Sequence, residues 1–445
     1  MESFGQYEGE SRLDIDPTTE DPVIPMELGP AWLERKQRVL PEKLTTLRRK
    51  LYRKAKQEPE FRFYALYDRI YRKDVLWSAW EQVRANGGAA GPDGVTIDQI
   101  VTREGGAERL VEGLHESLRT RTYRPGRIRR VWIPKSDGRR RPLGIPNVVD
   151  RVAQMAALLV LEPIFEADFE DCSHGFRPGR GAHDAVQAVA GHLKSGRREV
   201  YDADLQGYFD SIPHDKLESA LRVRITDGSV LKLIRMWLRA EVEDNSDGGG
   251  PRRYRPRAGT PQGGVLSPLL ANAFLHWLDR AFHGSGGPAN WASAKLVRYA
   301  DDFVIVARYV GPRLVNWVER ITEHRLGLTL NRDKTRIVNL TQPGSSLDFL
   351  GYTFRYDRDL HGGTHRYLHV GPSAASLGRA RDRLRELTAP KYCFLPLPTL
   401  IGRINRYLGG WRNYFGQGYP RRAYRHLNQH ARKRLACHLR RRSQR

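Results

Sequence analysis

Leu296-Val297-Arg298-Tyr299-Ala300-Asp301-Asp302-Phe303-Val304-Ile305-Val306 sets two adjacent carboxylates between two apolar, β-branched runs. The pattern predicts strand, tight turn, strand, with the acids at the hairpin tip. Adjacent like charges raise the free energy unless a cation lies beside them. Hard divalent cations such as Mg²⁺ prefer carboxylate oxygen and are the usual partners. Asp is also a common turn former, so the dipeptide alone reads first as a solvated turn.

A third carboxylate shifts that balance. Glu199-Val200-Tyr201-Asp202-Ala203-Asp204-Leu205 reads as a second strand with Asp204 near its end, and the chain then turns past Tyr208-Phe209. One Asp on a strand beside two on a hairpin can hold two metal ions about 3.5–4 Å apart, the arrangement that serves in-line displacement at phosphorus. Asp202 shares the strand parity of Asp204 and competes with it. Asp210 lies past the aromatic pair and reads as a cap for the next turn.

With these residues in place a family resemblance emerges. Asp204 with Tyr208-Phe209, and Tyr299-Ala300-Asp301-Asp302, resemble the two palm motifs of reverse transcriptases. Between them, Gly259-Thr260-Pro261-Gln262-Gly263-Gly264 and the following Ser267-Pro268-Leu269-Leu270-Ala271-Asn272 resemble the loop and helix of the bacterial group II intron type. Gly88 to Val95, Ile133 to Pro146 and Ser173 to Arg180 are similar to its finger motifs. Gly327 to Thr335 and Phe349-Leu350-Gly351-Tyr352 are similar to its last polymerase motifs, and Ile404 to Phe415 to its maturase segment. The series runs in the family's order from about residue 76 to residue 416.

The resemblance implies an α+β right hand: fingers, an antiparallel-sheet palm and a helical thumb with maturase domain. It implies RNA-directed extension of a primer 3′-hydroxyl by dNTPs, with Asp204, Asp301 and Asp302 and the Leu205 carbonyl holding two Mg²⁺ ions, Mn²⁺ being a substitute. Lys135 and Arg141 flank a turn rich in positive side chains, as a triphosphate requires, and in the family such positions grip the nucleotide. Arg139 and Arg140 read equally as template contacts or surface charge. Phe209, rather than Tyr208, takes the place of the sugar gate that excludes a 2′-hydroxyl. Gln262 precedes glycines that let the backbone approach a ligand. Lys334 is similar to a lysine that protonates pyrophosphate, and equally suits a phosphate contact. Arg177 and Arg180 suit a single-stranded template, and Phe349, Leu350 and Gly351 open the hairpin that holds the primer end. Arg406, Trp411 and Arg412 fall in the segment that binds intron RNA. Many relatives carry a further metal endonuclease with paired Cys and His ligands. The chain has no such cluster after its maturase helices, so the primer is expected from a nick or nascent strand made elsewhere.

Composition agrees. Against 51 acidic residues stand 75 Lys and Arg, a formal charge of +24, which favours a polyanionic partner by counterion release and steering. Cys172, Cys393 and Cys437 are scattered, giving neither a four-thiolate zinc site nor a disulfide framework. Without an apolar run of about eighteen residues or a signal-peptide core, the chain reads as a soluble protein of the bacterial cytosol or nucleoid.

Charge and breaker residues suggest divisions at 1–28 (acidic, disordered), 29–75 (basic helical extension), 76–198 (fingers, with a helix at 148–169 packed on the palm), 199–365 (palm) and 366–445 (thumb, maturase helices and basic tail). Leu40, Leu44, Leu47 and Leu51 recur at helical spacing beneath Arg48, Arg49, Lys50, Arg53, Lys54 and Lys56, so one face is expected in the core and the other on RNA. Phe63 to Asn86 reads as one helix and Asp244 to Gly250 as a loop. The tail from Arg421, with Tyr424, Leu427, Leu435 and Leu439, reads as a basic amphipathic helix. Other readings stay open: a retron-like or defence-associated reverse transcriptase, a splicing factor with dispensable polymerase activity, and an RNA-dependent RNA polymerase, which Phe209 disfavours.

Overall fold

The computed structural model describes residues 40–134, 140–244, 252–358 and 366–443. The acidic segment 1–28, the start of the basic extension, Lys135, Arg139 and most of the Asp244–Gly250 segment lie outside the described residues.

In chain order the strands are β1 (Ile128–Pro134), β2 (Arg140–Pro146), β3 (Glu199–Ala203), β4 (Val242–Asp244), β5 (Arg252–Tyr254), β6 (Lys295–Tyr299), β7 (Asp302–Ala307), β8 (Arg336–Asn339), β9 (Leu347–Phe349), β10 (Tyr352–Arg358) and β11 (Arg366–Pro372). They form three sheets ordered β2-β1-β4-β5, β6-β7-β3-β8 and β11-β10-β9. All neighbours are antiparallel except the parallel pair β1 and β4. β4 and β5 were not legible as strands; three residues each is too short for an alternating pattern to register.

The β6-β7-β3-β8 sheet is buried on both faces, and strand alternation divides its residues between two cores. Tyr201, Ala203, Phe303 and Ile305 join the core containing the helices Val148–Glu166 and Ser267–His283. Val200, Val297, Val304 and Val306 join the helix Ala182–Lys194, the β9–β11 sheet and the C-terminal helices. The sheet therefore welds the two halves of the chain, with its β3, β6 and β7 ends left to carry the acids.

The helix Glu42–Gln57 buries Leu44, Leu47, Leu51 and Ala55 in the same core as Val148–Glu166 and the helix Lys73–Asn86. That last helix crosses residues 75 and 76, so no structural boundary falls there. Two cations of the N-terminal helix are held by the protein itself: Arg48 pairs with Glu162 at 2.5 Å, and Lys56, though exposed, donates to the Ala167 carbonyl at 3.0 Å. Arg49, Lys50 and Arg53 face outward.

Phe63 to Asn86 is not one helix. The Phe63 amide donates to the Arg224 carbonyl at 2.7 Å, and Asp227 accepts from the Leu66 and Tyr67 amides at 2.8 Å each. These long-range bonds hold the backbone extended until the short turn Tyr67–Ile70, overriding helix propensity.

The expected division at 365/366 separates β10 from β11, which pair from Tyr352↔Pro372 to Arg358↔Arg366; the change to helices comes after Pro372. There follow the helices Ala374–Leu387, Leu397–Tyr414 and Arg421–Ser443. The last buries Ala423, Leu427 and His438, whereas Leu439, expected in its apolar stripe, is 38% exposed. Among the described residues no helix is long and apolar enough to cross a membrane.

Candidate active site

The β3–β7 ladder ends with Ala203 opposite Phe303. Asp204 is the residue just beyond Ala203 and Asp302 the residue just before Phe303, and Asp302 pairs with Tyr299 across the two-residue turn Ala300-Asp301. Three carboxylate residues thus reach one end of one sheet. Only Asp301 occupies the turn; Asp302 already opens β7, which corrects the expectation of both acids at the tip. On the β8 side, the Asn331 amide donates to the Asp204 carbonyl and the Gln206 amide to the Thr329 carbonyl, each at 2.8 Å, around the antiparallel bridge Leu205↔Leu330. In that widely spaced pairing the Leu205 carbonyl turns away from Leu330, to the β7 side.

The carboxylates feel one another. Burial pushes Asp302 up to about 7, reinforced by Asp301, Asp204 and Asp202 and only partly opposed by Lys334. Asp302 keeps surface open to solvent, but the protein around it withholds much of the water a free carboxylate would have. Asp301 is also raised, chiefly by burial, against its own backbone amide and the Arg141 charge. Asp202, with the competing parity, is raised by burial as well and is paired to Arg336 at 3.0 Å. A concentration of under-neutralised carboxylate oxygen is the donor chemistry a hard divalent cation requires. Among the described residues, however, no three His, Cys, Asp or Glu side chains converge closely enough to enclose a metal ion. The Asp204 carboxylate is engaged by Asn331 at 2.9 Å and by Lys334 at 3.3–3.4 Å.

Around the acids, Arg141 is exposed on β2 opposite Ile133. Phe209 is half-buried and meets Phe176 edge-on, ring centroids 6.3 Å apart. Tyr208 is buried and donates to the Ala271 carbonyl at 2.6 Å, the core role expected of it. Gln262 donates to the Asp210 carboxylate at 3.1 Å. The glycine after it serves a protein contact: a Cβ on Gly263 (φ +102°) would lie 2.6 Å from the Gly144 carbonyl oxygen of β2. That approach, to the fingers rather than to a ligand, is what the conformation permits.

Several residues expected at the template, primer or intron RNA make contacts within the protein. Arg177 is 4% exposed and spends its guanidinium on Glu166 (2.7 Å) and on the Glu170 and Ser173 carbonyls (2.7 and 2.8 Å), so it clamps its own loop and has no donor facing a template. Arg180 binds Asp171 at 2.5 Å. Phe349 is buried; the Leu350 carbonyl accepts from Tyr414 at 3.0 Å, and the Gly351 carbonyl from Ser373 (2.8 Å) and Ser376 (3.0 Å). The hairpin thus docks on the thumb through its turn. Trp411 is 8% exposed, 4.6 Å from the Phe415 ring and 6.0 Å from Tyr424, which makes it a packing residue, while Arg406 and Arg412 on the same helix face outward.

Sequence reading missed the residues beneath the turn. Arg298 and Asp279 are fully buried and paired at 2.5 Å, and burial's downward pull on the Arg298 pKa is outweighed by the Asp279 carboxylate. The one signal in the sequence was an Arg within an apolar strand. Nearby, His174 and His276 are each pushed down to about 4, mainly by burial. Both are therefore neutral in the folded chain at pH 7, and their contribution is present above pH 6.5 and lost as pH falls towards 4. Melting temperature should drop across that window, and His276→Gln should flatten the drop in a pH series of thermal melts.

A family model for the reverse transcriptase (RNA-dependent DNA polymerase) matches residues 133–354, and one for the group II intron maturase-specific domain matches residues 377–445. The chain is 33% identical over 355 residues to protein YkfC of Escherichia coli K12, covering 72% of this chain and 90% of that one. It is 30% identical over 357 residues to the group II intron-encoded protein LtrA of Lactococcus lactis subsp. cremoris, covering 66% of this chain and 57% of that one. The chain thus spans little more than half the length of LtrA. A solved chain from a partial Cas6-RT-Cas1–Cas2 complex aligns at TM-score 0.35 and 21% identity, over 58% of this chain and 41% of that one, too loosely to carry an argument.

Proposed function

The chain belongs to the group II intron reverse transcriptase and maturase family, and we propose on that footing that it extends a primer 3′-hydroxyl with dNTPs on an RNA template. The observation that carries this reading is the meeting of Asp204, Asp301 and Asp302 at one sheet end, where their mutual repulsion helps push Asp302 up to about 7. The family works with divalent metal ions; here Asp204, Asp301, Asp302 and the Leu205 carbonyl would hold two Mg²⁺. When bound, such ions supply activation of the attacking hydroxyl and neutralise charge on the leaving pyrophosphate.

The chain's own residues do the rest. Arg141, near enough to act on Asp301, offers a fork to the triphosphate, and Lys135 shares that task. Lys334, now neutralising Asp204, can exchange that partner for a phosphate oxygen. Phe209, backed by Phe176, closes the space beside the ribose C2′. The outward Arg406 and Arg412, with the basic face of the last helix, would hold a group II intron RNA and assist its splicing and mobility in the bacterial cytosol.

Primer extension on an RNA template with dNTPs tests the reading directly: no extension in Mg²⁺ or Mn²⁺ would overturn it. Phe209→Ala should raise ribonucleotide incorporation relative to dNTP by about tenfold or more, since exclusion of one hydroxyl from a shaped pocket is worth at least that. Unchanged discrimination, measured by single-nucleotide extension with each nucleotide, would remove Phe209 from the gate.

A further inference from the structure

We infer that the buried Asp279–Arg298 pair is a positioning device for the carboxylate turn; this rests on reading Asp301 and Asp302 as metal ligands. Both side chains are 0% exposed. The Arg298 Nε and Nη2 groups donate to Asp279 at 2.9 and 2.5 Å. Nη1 donates to the Asn272 Oδ1 atom and to the Ala300 carbonyl oxygen, each at 2.9 Å. The guanidinium therefore binds the backbone of the residue immediately before Asp301.

Ala300 needs that grip. Its φ of +58° lies in the left-handed region, which an L residue with a Cβ does not favour and which persists only where the surroundings impose it. The surroundings are assembled around Arg298. Its amide donates to the Cys172 carbonyl, and its carbonyl accepts from the His174 amide, each at 2.8 Å. Asn272 also donates through Nδ2 to the Gly175 carbonyl at 2.7 Å. Gly175 lies so close to the turn that a Cβ there would fall 2.4 Å from the Ala300 nitrogen. Asn272 and Asp279 lie two turns apart on one face of the Ser267–His283 helix, so a rigid rod presents both partners to one guanidinium.

A buried ion pair is weak evidence of stabilisation, because an apolar pair of similar volume often replaces it without loss. What an apolar pair cannot replace is the bond to the Ala300 carbonyl. The two charges are explained by what that bond fixes: the direction in which Asp301 and Asp302 leave the turn.

The test uses the full chain with Arg298→Met and Asp279→Leu combined, which leaves no buried charge unpaired. Mn²⁺ is the probe, titrated without nucleotide and followed by the electron paramagnetic resonance of the free ion. The double variant should fold with its RNA affinity near the parent's and a melting temperature lowered only by the lost donor to the Ala300 carbonyl and Asn272, yet bind Mn²⁺ about tenfold or more weakly. Its kcat for primer extension should fall about a hundredfold, with KM for dNTP within about threefold, the pattern of groups displaced by an ångström. Parental Mn²⁺ affinity and kcat would overturn the inference. If the double variant does not fold, Arg298→Lys answers the same question. It keeps a charge for Asp279 but lacks the fork that spans to Ala300, so parental values there would equally overturn it. Asp301→Ala separates the two levels: if it binds Mn²⁺ like the parent, the metal-site reading fails; if it loses Mn²⁺ while the double variant does not, only the positioning role fails.

Discussion

Asp301→Ala combined with Asp302→Ala should reduce dNTP incorporation by about a thousandfold or more and leave RNA affinity within about threefold. Metal-borne stabilisation of a phosphoryl transition state is worth several kcal/mol, and each 1.36 kcal/mol is about tenfold in rate. The outward cations proposed to meet RNA, by contrast, lie on helices at the far ends of the chain. The variant should also fold well. Asp302 is raised from 3.8 to about 7 in the folded chain. Above pH 3.8 the unfolded chain releases that proton more readily than the folded one, so the carboxylate destabilises the fold increasingly up to pH 7 and constantly beyond it. Its removal should leave the metal-free melting temperature at about pH 8 equal to or above the parent's. Thermal melts with EDTA and single-turnover primer extension check both halves. Retained cDNA synthesis would remove Asp301 and Asp302 from the site; a large fall in metal-free stability would show that they hold the hairpin rather than wait for a cation.

What was legible in the sequence is what alternation and turn chemistry encode locally. The β6–β7 hairpin and the apolar helix from Val148 both follow from patterns within a short stretch of chain, and their observed spans lie close to expectation. Asp204 was legible because it ends such a pattern. Roles that depend on which way a polar side chain turns were not. Arg177 and Trp411 are residue types that serve equally in loops, cores and nucleic-acid contacts, and only the fold shows Glu166 beneath one and Phe415 beside the other. Gln262 looked free for a ligand because its partner, Asp210, is 52 residues away. The break after Phe63 was invisible for the same reason: its cause, Asp227, is 161 residues from Leu66. The Arg298–Asp279 pair shows the limit most sharply. An Arg in an apolar strand signals that something is buried with it, but not on which of several packed helices the carboxylate lies.

RNA affinity should fall about a thousandfold or more between roughly 50 and 200 mM salt, the drop expected when roughly seven or more single-strand phosphates are neutralised. The formal charge of +24 makes such a number attainable, and the fold shows which part of it is free to act. Arg48, Arg177 and Arg298 are spent on internal carboxylates, so they add to the net charge without offering a donor to a polyanion. Arg49, Lys50 and Arg53 on the first helix, and Arg425, Arg432 and Lys433 on the last, face outward. The two groups should respond differently to the same removal of charge. Replacing Arg432 and Lys433 by Gln should lower the slope of log affinity against log salt by about 1.4, at about 0.7 for each single-strand phosphate no longer neutralised, with stability unchanged. Arg177→Gln should leave the slope alone and lower the melting temperature, because it strands the Glu166 carboxylate and two loop carbonyls in a half-buried site. Filter binding across a salt series, paired with melts, separates them. An unchanged slope for the helix variant would move the RNA-binding face elsewhere, to the N-terminal helix or the fingers, since those carry further outward cations.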